Sequence, residues 1–419
     1  MANFSFIHAA DLHLDSPFRG LAAHGALRDK LQRATFDAFH RIVSLAISEK
    51  AAFVVLAGDL FDERDRSVRA RLHLRDELVR LHEAGISSFI VHGNHDPLSG
   101  DSKALGLPPS VKVFTERWEE AGVERNGELL CRVQGISYPR EKVTEDLSRH
   151  FKRQGPEFTV GLLHCNLGDP SHANYAPCTV DDLGARELDY WALGHVHTRA
   201  EHVLSPAGLA VYPGNPQGRH VNEAGPRGCV AVTVKDGRPA TRFVPLDVVR
   251  WHRLDADVSE VRTLDALEAA VEEVIDQSCV GPDLVAHACR VMLTGRGPMH
   301  RELSPPQALK EMEERLRESL ARRSPPVLLE SLRQGTRPEL NLGEILQAGG
   351  LPAAVLKEVN AARDNASVRE SLLADDEWRK LDSALKKVGI EAASLAASRM
   401  LDRAAYRALE LLAVEEEGG

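Results

Sequence analysis

Short apolar runs alternate with segments whose apolar residues recur every three or four positions. FSFIHAA (4–10) has the length and composition of a strand. Leu27, Leu31, Ala34, Ala38, Ile42 and Leu45 fall on one helical face and predict an amphipathic helix over 26–49. AAFVVLAG (51–58) predicts a buried strand, and residues 67–84 a second helix closed by Gly85. SSFIVHG (87–93), FTVGLLH (158–164) and DYWALGH (189–195) predict further strands, followed by GLAVYPG, GCVAVTV and TRFVPL. Strands that first alternate with helices and then run on alone imply layered α/β packing.

The pattern changes near residue 250. WHRLDADV, a helix at 263–277, VAHACRVMLTG, a helix at 305–323 and PVLLESLRQ make a small α/β module. From about 336 the pattern is helical: LNLGEILQAGG and LPAAVLKEVNAARD precede two longer amphipathic stretches that lead to EEEGG. We therefore expect three parts, at 1–250, 251–335 and 336–419. There is no internal repeat and no low-complexity block.

Composition narrows the functional classes. The 419 residues are 43% hydrophobic, ample for a sizeable core, with only 5% aromatic residues. That leaves no interleaved aromatic and basic surface for gripping single-stranded nucleic acid. A formal charge of −10 argues against a binder that holds DNA by charge alone. It does not exclude DNA, because bound divalent cations invert the local field. The six cysteines form no C-x-x-C pair, and no apolar stretch approaches a membrane span. MANFSFIHAADLHLD lacks the basic start and apolar centre of a signal peptide. The expectation is a cytoplasmic protein with reduced thiols and no membrane partner.

Five polar clusters each follow a predicted strand. ADLHLD offers Asp11 and His13; AGDLFD offers Asp59 and Asp62; HGNHD offers Asn94, His95 and Asp96. LLHCN closes a strand with His164, and GHVH closes another with His195 and His197. Each alone is ordinary, since Asp or Gly-Asn after a strand is common turn chemistry. All five at strand ends point to one crevice, because ligands of α/β sheets sit beyond the carboxyl ends of the strands. If extended geometry continued past Gly194, His195 and His197 would share one face. Carboxylate, imidazole and amide oxygen without thiolate suit Mn²⁺, Fe²⁺ or Zn²⁺. Seven candidates with one shared Asp suffice for two adjacent ions, the arrangement used in phosphoryl-oxygen displacement. Cys165, beside His164, reads as a small buried thiol, and His8, His40, His73, His82 and His92 as structural or surface residues.

The ordered set D-x-H, G-D-x-x-D, G-N-H-D, H and G-H-x-H resembles the signature of calcineurin-like metallophosphoesterases. DLHLDSPF, GDLFD and YPGNPQGRH are similar more narrowly to bacterial DNA-repair exonucleases of the SbcD type, in the YhaO-like branch. The resemblance is marked over residues 1–250 and weaker beyond. It implies an α-β-β-α sandwich with a small α/β capping domain and a helical C-terminal region. It also implies that Asp11, His13, Asp59 and His197 hold one metal, and that Asp59, Asn94, His164 and His195 hold the second, Mn being the expected ion. His95 would then act at the scissile phosphate, with Asp96 orienting it. Asp62 would support the first site, and Arg219 and His220 could reach a substrate phosphate. Some relatives have histidine where this chain has Asp62, so roles of that imidazole do not transfer.

The activity implied is a Mn-dependent DNA exonuclease, also able to act as an endonuclease, paired with a coiled-coil ATPase of the SbcC or YhaN type and forming a homodimer. The C-terminal helices would dock on that ATPase or cover their own domain. Two alternatives remain: a phosphoesterase for nucleotides, lipids or phosphoproteins, and a DNA-end scaffold with reduced activity.

Overall fold

The computed structural model describes residues 3–21, 28–62, 67–98, 106–125, 127–168, 173–204, 208–281, 283–340 and 342–364, with Tyr406 and Leu409. It divides into two compact units, Met1–Arg337 and Pro338–Gly419.

The larger unit begins with β1 (Phe4–Ala9), α1 (Arg28–Ser48), β2 (Phe53–Ala57), α2 (Val68–Glu83) and β3 (Ser87–Val91). Then come β4 (Val111–Val113), β5 (Glu119–Arg125), β6 (Glu128–Gly135), β7 (Phe158–His164), the short α3 (Val180–Gly184) and β8 (Tyr190–Gly194). β9 (Ala200–Val203), β10 (Leu209–Tyr212), β11 (Gly228–Lys235) and β12 (Arg238–Pro245) complete two six-stranded sheets. Their orders are β12-β11-β1-β2-β3-β4 and β5-β6-β7-β8-β10-β9. In the first, β1, β2, β3 and β4 are mutually parallel. In the second, β6, β7, β8 and β10 are parallel. The parallel strands thus send their carboxyl ends to one edge of each sheet.

The sheets pack face to face over Phe6, Phe53, Val55 and Phe89 from one side and Val133, Val160, Leu162, Tyr190 and Val211 from the other. Phe6 and Phe53 stack with centroids 4.7 Å apart, and Phe89 meets Phe53 edge-on. Such pairs add about 0.5–1.5 kcal/mol each beyond area burial. α1 and α2 cover the outer face of the first sheet through Phe39, Ile42, Leu74 and Leu78. Ser67 caps α2 by accepting from Ala70 N–H at 3.0 Å, and Gly85 ends it at φ +73°, as its periodicity predicts. His40 pins α1 on α2 through a 2.8 Å hydrogen bond with Glu77. The second outer layer packs α3 and loops around Trp191, Phe151 and Leu188. This is the expected α-β-β-α sandwich, although among the described residues its second outer layer is mostly irregular chain. β5 and β9 had no clear signal in the sequence, because EEAGVER and AEHV are polar edge strands with little apolar alternation; the sequence pattern does not predict β4 and β6 either.

A third, all-parallel sheet orders β13 (Val249–Asp257), β14 (Ala286–Thr294) and β15 (Val327–Gln334). Its helices are α4 (Leu264–Ser278), α5 (Met299–Leu303) and α6 (Pro306–Ala321). Trp251, Ala286, Ala288 and Leu328 seat one face of it against Phe18, Leu31 and Val221. Buried Gln217 stitches this seam: its Oε1 accepts from Val248 N–H at 2.9 Å and its Nε2 donates to Val249 O at 2.6 Å. In the smaller unit, α7 (Leu342–Ala348) and α8 (Gly350–Asp364) pack on each other. The two longer amphipathic stretches predicted beyond 364 lie outside the described residues, apart from Tyr406 and Leu409. No helix of the described residues is long and apolar enough to cross a membrane.

His8 lies wholly buried between the two sheets, its Nδ1 3.0 Å from the Tyr190 hydroxyl. Burial lowers its pKa from 6.5 to about 3, so the folded chain keeps it neutral. Its stabilisation is therefore full above pH 6.5 and is lost as pH falls through the window down to about 3. Unfolding in urea at pH 7 and pH 5 should show about 2 kcal/mol less pH dependence in His8→Gln than in the parent chain. An identical pH dependence in the two proteins would contradict this assignment.

Candidate metal centre

The loops after β1 and β2 run on together past the end of the sheet. Asp11 N–H donates to Gly58 O at 3.1 Å, His13 N–H to Asp59 O at 3.0 Å, and Leu14 N–H to Leu60 O at 2.9 Å. Asp11, His13 and Asp59 sit in left-handed backbone at φ +52°, +43° and +49°. Non-glycine residues adopt that region rarely and at an energetic cost, and such strain gathers at functional sites. The twist turns the side chains of both loops inward, where all three are buried.

Gly93 and Gly194 let the other strand ends approach. A Cβ on Gly93 would overlap Asp59 Oδ1 and lie 2.8 Å from His164 Nε2; one on Gly194 would overlap Ala57 O. With hydrogen at these positions, β3 delivers Asn94, β7 delivers His164 and β8 delivers His195. Asp11 accepts from His195 N–H at 3.0 Å, and Asp59 Oδ1 accepts from His95 N–H at 3.0 Å.

The proton positions follow from the partners on the far side of each ring. His164 Nδ1 donates to Ala57 O at 3.0 Å, so its Nε2 is bare. His13 Nδ1 meets Asp62 Oδ1 at 2.7 Å and His197 Nδ1 meets Glu223 Oε1 at 2.7 Å. Both carboxylates are ionised, so both imidazoles are bare at Nε2. His195 Nε2 donates to Ala173 O at 3.0 Å. Acceptors then face acceptors. His13 Nε2 lies 3.1 Å from His197 Nε2, and His164 Nε2 lies 3.0 Å from Asn94 Oδ1 and 3.5 Å from Asp59 Oδ2. Two groups emerge: Asp11, His13 and His197, and Asp11, Asp59 and His164, each offering atoms within 4.8 Å of one another.

Electrostatics sharpen the picture. Burial lowers His13 to about 3 and His164 to about 4, so both are neutral. Burial, then the charge of Asp96, raises Asp59 to about 7; burial, then the charge of Asp59, raises Asp11 well above the carboxylate range. Burial also works against Asp62, but the hydrogen bond from His13, with the charge of Arg219 and the hydrogen bond from Ser16, outweighs it and holds the group ionised. Glu223 is held ionised against burial in the same way, by His197 and Arg219. Inward-facing lone pairs and carboxylates that resist a negative charge in one another's company form a donor set that fits divalent cations.

The remaining residues fall at the rim and in the surrounding braces. The His95 side chain is 48% exposed, its Nδ1 3.3 Å from Asp62 Oδ1 and its ring 5.3 Å from that of His13. Asp96 does not orient it. That carboxylate is buried beneath the loop, where it accepts from Leu60 N–H at 2.9 Å and Gly93 N–H at 2.8 Å and meets His92 Nδ1 at 3.2 Å. HGNHD is a tight turn whose Asp folds back on its own backbone, and Asp62 takes the place beside His95. His195 and His197 do not share a strand face either: β8 ends at Gly194, and His195 turns at φ +103°. His195 accordingly meets His164 edge-on, and His197 meets His13 edge-on. Arg219 and His220, expected toward substrate, engage the braces instead: Arg219 pairs with Asp62 Oδ2 at 2.9 Å, and His220 Nε2 lies 3.4 Å from Glu223 Oε1. Sequence reasoning missed Glu223 and Ser16, which hydrogen-bonds Asp62. Glu223 stands three residues past YPGNPQGRH, with no signal beyond that proximity. Cys165 turns into the outer layer, 3.8 Å from Cys178 Sγ.

With this geometry in view, the comparisons identify the family. Residues 4–199 match the calcineurin-like phosphoesterase family, and residues 251–337 the middle domain of the metallophosphoesterase YhaO. The uncharacterized metallophosphoesterase YhaO of Bacillus subtilis is 35% identical over 347 residues, covering 82% of this chain and 84% of that protein. The DNA double-strand break repair protein Mre11 of Sulfolobus acidocaldarius is 23% identical over 285 residues, 65% of this chain and 69% of its own length. That of Sulfurisphaera tokodaii is 26% identical over 234 residues, 52% of this chain and 54% of its own. The chain belongs to the YhaO-type calcineurin-like metallophosphoesterases.

In chelator-treated protein, difference infrared spectroscopy should detect a buried carboxyl titrating near pH 7 that disappears in Asp59→Asn. Because the folded pKa is raised from 3.8, this group stabilises the metal-free chain fully below pH 3.8 and ceases to as pH rises through 7. A carboxyl fully ionised at pH 5 would contradict the placement.

Proposed function

We propose that this metallophosphoesterase is a two-metal phosphodiesterase acting on DNA, a Mn-dependent exonuclease able also to cut internally, in repair. The observation that supports it is the convergence of unprotonated donors from five strand ends. Asp11, His13, Asp59 and His197 would hold one ion, and Asp59, Asn94, His164 and His195 the other, with Asp59 between them. Oxygen and imidazole donors without sulfur favour Mn²⁺ over a thiolate-bound metal. When bound, a pair of divalent ions supplies charge for the phosphate oxygens and lowers the pKa of a water at the site.

The chain's own groups supply the rest. Asp62 and Glu223 fix the ring planes and tautomers of His13 and His197, as carboxylates do behind ligating imidazoles. Asp59 presents His95 at the rim by accepting its backbone N–H, and Asp62 lies against the ring's Nδ1. In this reading His95 hands a proton to the leaving oxygen. The hydrogen bond with His13, helped by the charge of Arg219, keeps Asp62 ionised beside both rings. The relatives named for double-strand break repair support DNA as the substrate. A coiled-coil ATPase partner and a homodimer belong to the same reading. An acidic chain of net charge −10 suits a subunit that leaves much of the DNA contact to a partner.

Purified protein with Mn²⁺ should degrade linear duplex DNA, lose the activity on chelation and regain it on Mn²⁺ return. His95→Ala should lower the rate about 10²–10⁴-fold with metal content unchanged, and Asp59→Ala should lose metal and activity together. Cleavage of bis-p-nitrophenyl phosphate with DNA untouched, even beside the ATPase, would replace this reading with a small-substrate phosphodiesterase. Intact DNA and intact small diesters would leave the scaffold reading.

A further inference from the structure

The third sheet gathers two histidines and a cysteine away from the dimetal pocket. Trp251, Ala286 and Ala288 occupy the face turned to the sandwich. His252 on β13 and His287 on β14 alternate to the other face, the one Ala256, Cys289 and Val291 present to α4. Cys279 follows the last residue of α4, its N–H bonded to Ile275 O at 2.7 Å, and packs at the border of the same core. His252 Nε2 lies 3.0 Å from His287 Nδ1. One nitrogen from each ring and Cys279 Sγ lie within 4.8 Å of one another.

We propose that His252, Cys279 and His287 form a separate metal site, for a zinc-class ion. Two imidazoles and a thiolate are the donors such borderline-soft ions select, unlike the oxygen-rich pocket described above. Two nitrogens bound at about 2.0–2.1 Å to a tetrahedral ion lie about 3.3 Å apart, close to the spacing of this pair. His287 is buried, and the nitrogen it turns to His252 is its Nδ1. His252 and Cys279 are half-buried, so an ion can enter from solvent. The nearby cations are already matched. Arg250 pairs with Asp247 at 2.8 Å, and Arg323 with Asp276 and Glu272.

Burial pushes the Cys279 thiol up to about 12, so in the metal-free chain it is a protonated thiol rather than a reactive thiolate. Ion binding releases that proton to solvent as the metal–sulfur bond forms. The bound ion would tie β13, β14 and the end of α4 together. The inference uses no residue of the phosphodiesterase reading and stands apart from it.

The test is a cobalt titration of the full chain after chelator treatment. Cobalt held by thiolate gives an intense near-ultraviolet charge-transfer band, and the dimetal pocket has no sulfur donor to give one. The band should saturate, vanish when Zn²⁺ displaces Co²⁺, and be absent from Cys279→Ser. His252→Ala should weaken the apparent affinity at least about tenfold. Both variants should keep the parent chain's Mn²⁺-supported activity on bis-p-nitrophenyl phosphate, or its Mn²⁺ content if that activity is absent, which shows that they are folded. No band in the parent chain, or a band that survives in Cys279→Ser, overturns the site. If Cys279→Ser does not fold, unchanged affinity in His252→Ala overturns it.

Discussion

The constraint on which the centre rests is the placement of protons behind the rings rather than between them. Ala57 O, Asp62 and Glu223 each take one imidazole N–H, so the opposite nitrogens of His164, His13 and His197 are bare. Those nitrogens, Asp11, Asp59 and Asn94 then converge in a buried volume that holds few protons of its own. Unpaired acceptors in low dielectric are costly, and a cation at their focus reverses that cost.

The fold pays for this arrangement with a rigid sandwich and local strain. Parallel strands of both sheets aim their carboxyl ends at one edge, and the stacked phenylalanines between the sheets fix the spacing of those ends. Left-handed turns at Asp11, His13, Asp59 and His195 then bend the chain inward at the edge. Gly93 and Gly194 allow β3 and β8 to approach β2 and β7 closely enough for donors to meet. The third sheet, seated through Trp251 and Gln217, closes behind the segment that carries Arg219 and Glu223.

Much of this was legible in the chain because strand-end position and residue type travel together. FVVLAGD and LLHCN mark both where a strand stops and which side chain it delivers. The long helices, the small α/β module and the order of the metal-capable residues follow from periodicity alone. What was not legible depends on contacts distant in sequence. Glu223 matters because it meets His197, and nothing in VNE announces that meeting. Asp96 was misread because the strand pattern gives no sign that the turn folds its carboxylate back on Gly93 and Leu60. The shared-face expectation for His195 and His197 failed because backbone at φ +103° breaks the strand period immediately after Gly194.

The most direct test of the account is electron paramagnetic resonance of the manganese-loaded protein. The proposed reading, with Asp59 between two ions, predicts two ions per chain with exchange-coupled spins, about 3.5–4 Å apart. A single ion, or two whose spectra are uncoupled, would contradict the common pocket.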